Sequence, residues 1–174
     1  MKKMMTAVAA AAMALVPVTA HAATMTGYGW QENTLTVVDQ GTKNWDVAAA
    51  VAAWNSTDPA ITLAMGPKKA KSCSEVAGQC ITVGTGSLGD QVGGSATLRR
   101  SGSYISSCHV TLADSVKGKE AAFYNDMILL HEIGHCVGLD HAEFGARSVM
   151  QSSVSGLKEL QPYDLADLQT LYGG

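Results

Sequence analysis

Three of the chain's five histidines fall within eleven consecutive residues, HEIGHCVGLDH at 131–141. On an α-helix His131 and His135 stand one turn apart on the same face, so their rings can converge on one point. Two imidazoles aimed at one point suit a zinc ion, which takes nitrogen and sulfur ligands in tetrahedral geometry. Glu132 is rotated about 100° from His131. It therefore flanks the metal without having to ligate it, and its carboxylate is free to act on a water beside the ion. That is where a general base belongs. Gly138 lets the chain leave the helix through a backbone conformation that other residues resist, and His141 follows three residues later, in reach of the same point. Two histidines four apart on a buried helix can also be core residues satisfied by hydrogen bonds; the third histidine at this spacing favours the metal. Three neutral imidazoles leave the ion its full 2+ charge, which acidifies a bound water. The chemistry is then metal-assisted hydrolysis with no covalent enzyme intermediate.

Several elements must hold these residues in place. The histidines lie in a longer run, AAFYNDMILLHEIGHCVGL, apolar on nearly every side, which predicts a buried central helix starting near Glu120. Residues 44–55, rich in alanine, read as an earlier helix stopped by Asp58-Pro59. Residues 162–174 read as a closing helix, with Pro162 at its start and Leu165, Leu168 and Leu171 or Tyr172 on one face. Residues 34–38, 61–65, 80–84, 94–100 and 103–112 carry strand patterns. The glycine- and serine-rich stretch 84–94 reads as loop, and Ser101-Gly102 as a turn. No internal repeat or linker divides the chain.

Residues 1–22 have the three parts of a secretory signal peptide: Lys2 and Lys3, an apolar run, and the small-x-small site Ala20-His21-Ala22. The apolar run is shorter than the roughly 20 residues needed to span a bilayer, so no membrane anchor is expected. Cleavage near Ala22 leaves one domain, 23–174, secreted to the periplasm or outside the cell and large enough to bury a proper core. It also removes Lys2 and Lys3, leaving ten basic against fifteen acidic side chains. Nothing in that balance suggests a nucleic-acid or membrane partner. Cys73, Cys80, Cys108 and Cys136 are an even number in an exported chain, so two disulfides are expected from three connectivities. Cys73 and Cys80 flank a short polar loop and should pair locally, leaving Cys108 with Cys136. Cys136 is turned about 100° from His135, off the histidine face and toward the strands.

The extended motif HExxHxxGxxH, followed by Met150 in Ser148-Val149-Met150, resembles the metzincin signature with its Met-turn. Within that clan the chain is similar to the matrixins, the catalytic domains of matrix-metalloproteinase type. HEIGHCVGLDH is close to their HExGHxLGLDH, residues 164–173 (DLADLQTLYG) look like their closing helix, and Trp54 matches a tryptophan common at the end of their first helix. The resemblance implies an α+β metzincin (zincin-like) fold: a twisted, mostly parallel five-stranded sheet, three helices, and one zinc at the cleft floor. It implies that His131, His135 and His141 ligate that zinc above Met150, with Glu132 as base for peptide-bond hydrolysis. It further implies that an edge strand including Ser95, Ala96, Thr97 and Leu98 binds substrate by adding it as an extra strand.

The departures bound what carries over. Ala142 stands where matrixins usually have serine, and Gln151-Ser152-Ser153 replaces their Pro-x-Tyr wall, so the S1′ pocket is not legible. Ser152 also replaces the Met-turn tyrosine of astacins and serralysins. A second, structural zinc is not expected, because His109 is the one histidine left over in the mature chain; calcium stays open. No capping pro-segment is expected either, with about ten residues before the first strand and no cysteine before Cys73. Partners are protein or peptide substrates, with a protein inhibitor compatible, and the chain is expected to be a monomer. The rival class is a secreted zinc-binding or adhesive protein without proteolysis. Glu132 speaks against it, since a site that only binds zinc does not need this carboxylate.

Overall fold

A computed structural model describes residues 28–89, 93–114, 119–153 and 155–173, with the backbone path alone for 119–124. The signal-peptide segment lies outside the described residues.

Five strands, β1 (Thr34–Asp39), β2 (Thr62–Met65), β3 (Cys80–Gly86), β4 (Gly94–Ser101) and β5 (Tyr104–Ala113), form one sheet in the order β2-β1-β3-β5-β4. The first four in that order run parallel, and β4 pairs antiparallel with β5 at the edge. Among the described residues three α-helices accompany the sheet: α1 (Val47–Asn55), α2 (Lys119–Cys136) and α3 (Pro162–Tyr172). The architecture is α+β, with the mostly parallel five-stranded sheet and three helices that the resemblance implied. Alternation along the strands sends Leu35, Val37, Leu63, Ile81, Val83, Val110 and Leu112 to one face, where they meet Val51 and Trp54 of α1 and Leu129, Leu130 and Ile133 of α2. The other face carries a small cluster, Val38, Ala70 and Cys80, beneath the Cys73–Cys80 loop.

Local chemistry shifts several boundaries. The first helix begins at Val47 instead of residue 44, because Asp46 acts as its N-cap and accepts the Ala49 amide at 2.9 Å. The strand expected at 80–84 runs on through residues 85 and 86, read as loop: Gly84, Thr85 and Gly86 pair with Thr111, Leu112 and Ala113. Glycine-rich composition signals a loop through backbone entropy, but the ladder offered by β5 outweighs it. β4 starts at Gly94, as its strand pattern indicates.

The two sheet edges differ. On β2 the Asn55 side chain occupies the outer backbone of Leu63, donating to its carbonyl at 2.7 Å and accepting its amide at 3.0 Å, which blunts that edge. Among the described residues no further strand lies beyond β4. The Ala113 amide bonds the Gly93 carbonyl, so by alternation Ser95, Thr97 and Arg99 turn their backbone groups to β5 while Gly94, Ala96 and Leu98 turn theirs outward.

Cys73 is bonded to Cys80 and Cys108 to Cys136, with Cα separations of 5.7 and 5.5 Å. The second bridge ties the last residue of α2 to β5. Closing a 28-residue separation should stabilise the fold by about 3–4 kcal/mol. A Cys108→Ser/Cys136→Ser variant should therefore unfold at clearly lower urea concentration, read by tryptophan fluorescence. An unchanged midpoint, or peptide mapping that links Cys73 to Cys108 or Cys136, would contradict this pairing.

Candidate functional site

α2 ends in a way that builds half of the site. Gly138 has φ +96°, and a Cβ there would stand 2.5 Å from the Tyr28 carbonyl, so only glycine suits the position. Its amide bonds the His135 carbonyl and the Leu139 amide bonds the Gly134 carbonyl, each at 3.0 Å, the two bonds of a Schellman motif. The two carbonyls left over find side chains from far in sequence. Trp30 Nε1 donates to Cys136 O at 2.8 Å, and the Tyr172 hydroxyl donates to Val137 O at 2.7 Å. All four carbonyls at the helix end are thus satisfied, and the chain turns back so that His141 faces His131 and His135.

The three rings converge. His135 Nε2 lies 3.1 Å from His131 Nε2 and 3.2 Å from His141 Nε2, and one ligand atom from each of the three residues falls within 4.8 Å of the others. The far side of two rings fixes where the protons are. His131 Nδ1 meets Val149 O and His135 Nδ1 meets Leu139 O, both at 2.9 Å. A carbonyl only accepts, so each ring carries its proton on Nδ1 and presents a bare Nε2 lone pair to the common point. Burial holds His131 down at about 4 and lowers His135 as well, so both rings are neutral near pH 7. Lone pairs converging without protons between them repel one another unless a cation sits among them. This donor set fits zinc: three imidazole nitrogens, with room for a fourth ligand.

Glu132 comes off the same helix into the gap between α2 and β4. It is buried, and desolvation pushes its carboxyl up to about 7 against the lowering effect of the Ala96 backbone amide. Of the edge-strand residues singled out from sequence, Ala96 and Leu98 face the open edge with their backbone groups, and Ser95 and Thr97 spend theirs on β5.

Met150 is buried directly beneath the histidine-bearing turn of α2; a Cβ on Gly134 would overlap its Sδ. Two residues to which the sequence reading assigned no such role support it. Asp164, on the first turn of α3 and almost fully buried, accepts the Ser148 hydroxyl, the Val149 amide at 3.2 Å and the Gln161 amide at 2.8 Å. Ser148 Oγ in turn accepts the Met150 amide at 2.8 Å. The same Val149 that Asp164 holds by its amide holds His131 by its carbonyl, which connects α3 to a metal-ligand candidate in two hydrogen bonds. Burial raises the Asp164 carboxyl and its hydrogen bonds oppose that shift. The available signal was the capping pattern: a helix starting at Pro162 has Asp164 at N3, facing back toward its own N-terminus. A separate concavity beside β1 and β2, lined by Asp39, Lys43, Trp45, Met65, Lys68 and Lys71, contains none of these residues.

The Tyr172 contact gives a measurable pH dependence. Burial pushes this phenol from 10.0 up to about 12, while the Trp30 amide it accepts at 3.2 Å works the other way. A raised phenol stabilises the fold in its neutral form, so its contribution is intact below pH 10 and disappears as pH rises toward 12. Unfolding free energy should fall by on the order of 2 kcal/mol across that window. Tyr172→Phe should remove this component, leaving a shallower alkaline slope in urea titrations at pH 9 and 11.5. Equal slopes for the two proteins would contradict the contact.

Among the described residues no helix is long and apolar enough to cross a membrane. No curated protein matches the chain. A solved structure described as "GM1 bound form of the ECX AB5 holotoxin" contains a chain similar to this one at a TM-score of 0.50 and 14% identity, covering 85% of this chain and 76% of that one; the likeness is one of fold alone. The family model of the matrixin peptidases matches residues 18–173, taking in the histidine motif, Met150 and the closing helix. The chain belongs to the matrixin family, a family of zinc metalloendopeptidases.

Proposed function

We propose that this protein is a secreted zinc-dependent endopeptidase in which His131, His135 and His141 hold one zinc ion and Glu132 is the general base. The observation that carries the proposal is the convergence of three Nε2 atoms, two with their tautomer fixed by backbone carbonyls, beside a buried carboxylate on the same helix. Zinc bound there supplies Lewis acidity, polarising a peptide carbonyl and easing deprotonation of the attacking water. Glu132, near neutrality through burial, takes the proton from that water and delivers it to the departing amine. The open edge of β4 holds the substrate strand through the outward carbonyl of Ala96 and the outward amide and carbonyl of Leu98, reading backbone more than side chains. Met150 supports the histidine turn from below. Residues 1–22 act as the signal peptide and 23–174 as the catalytic domain, and the two disulfides agree with an oxidising, extracellular destination.

The test is mass spectrometry of an unstructured polypeptide blocked at both ends and incubated with the mature protein. Cleavage at internal bonds supports an endopeptidase. A substrate left intact by zinc-loaded protein would overturn the proposal.

A further inference from the structure

Glu132 is held by the sheet as well as by its own helix. Gly94, at the start of β4, lies so close that a Cβ there would stand 2.7 Å from Glu132 Cγ and 3.0 Å from its Oε1. A Cβ on Gly93 would stand 2.5 Å from Ile128 Cδ1, one turn earlier on α2. These two glycines let the edge strand lean directly on the helix. Two residues along the same strand, the amide of Ala96 also faces outward and acts on the Glu132 carboxyl, lowering it against the effect of burial. A carboxylate has two oxygens, and fixing one on a rigid backbone donor aims the other.

We propose that Gly94 and Ala96 are positioning residues for Glu132: Gly94 by its missing side chain admits the carboxylate to the strand, and the Ala96 N–H orients it. This rests on Glu132 being the base. It also divides the outward amides of β4 between two tasks, with Ala96 N–H serving the base and Leu98 N–H left to face the substrate.

Proline substitution separates the tasks, because an edge strand tolerates proline where the N–H points away from the ladder. Ala96→Pro removes the donor and should keep bound zinc, leave KM little changed and lower kcat by about 10²-fold, the effect of misplacing a reacting group by about 1 Å. Leu98→Pro should instead raise KM more than it lowers kcat. Gly94→Ala should lower kcat by a second route, through the carboxylate it displaces. An independent readout needs no turnover and no change at Ala96. In ¹⁵N-alanine-labelled protein the Ala96 amide should resonate downfield and exchange slowly, and Glu132→Ala should abolish both properties. Parent kcat in Ala96→Pro, or an Ala96 amide indifferent to Glu132→Ala, would overturn the proposal. If the amide responds but the parent protein cleaves nothing, the positioning contact stands and the protease assignment fails.

Discussion

Glu132→Ala should retain about one equivalent of zinc and the parent fold while losing peptide cleavage by 10² to 10⁴-fold or more. The three Nε2 atoms that meet at the common point belong to His131, His135 and His141, and none of their hydrogen-bond partners is Glu132. Removing the carboxylate therefore leaves the donor set intact. What disappears is the proposed base, a role typically worth about 10² to 10⁴-fold, together with its orienting of the water, which puts the effect at the upper end or beyond. The protein should lose no stability. A buried carboxyl raised to about 7 is a desolvation penalty, and the alanine that replaces it has none. Zinc content by atomic absorption, thermal unfolding and peptide turnover measured on one preparation resolve the three quantities. Near-parent cleavage with zinc bound would show that another group moves the proton.

His135→Ala should behave in the opposite way, losing metal and activity together. His135 is the middle of the three converging rings, its Nε2 3.1 Å from one neighbouring nitrogen and 3.2 Å from the other. Its removal opens the donor set to two imidazoles. Removing a mere hydrogen-bond partner of a ligand already weakens metal binding by about 10- to 100-fold, so loss of the ligand itself should exceed that. The variant also strands the Leu139 carbonyl that the ring proton occupies, at a cost of about 1–3 kcal/mol if no water replaces it. Competition against a calibrated zinc dye gives the affinity. A variant that held zinc as tightly as the parent would remove His135 from the metal site.

The contrast between what the residues announced and what they concealed has a physical basis. HEIGHCVGLDH was legible because helix periodicity turns spacing directly into geometry, and the glycine after the second histidine marks the exit from the helix. Disulfide partners were legible for a related reason: Cys73 and Cys80 are local, and Cys136 is placed by rotation from His135. The strand order β2-β1-β3-β5-β4 followed from no local pattern, since parallel pairing is set by contacts distant in sequence. Glycines misled the strand assignment at residues 85–86, because composition reports the entropy of the free chain and not the ladder waiting in β5. Asp164 was concealed most completely. A carboxylate in a short amphipathic helix reads as solvent-facing, yet its three hydrogen bonds make it the buried peg on which Ser148, Val149 and, through Val149, His131 are hung. Trp30 and Tyr172 were likewise visible as large side chains but not as donors to the end of α2, a role that exists only once the two segments that carry them are folded against it.

The most direct measurement is zinc stoichiometry on the mature protein together with casein cleavage before and after chelation by 1,10-phenanthroline. The account requires about one zinc per chain, cleavage that ceases when the ion is withdrawn, and recovery when zinc alone is returned. Cleavage that persists in fully zinc-free protein, or zinc-loaded folded protein that leaves casein intact, would contradict it.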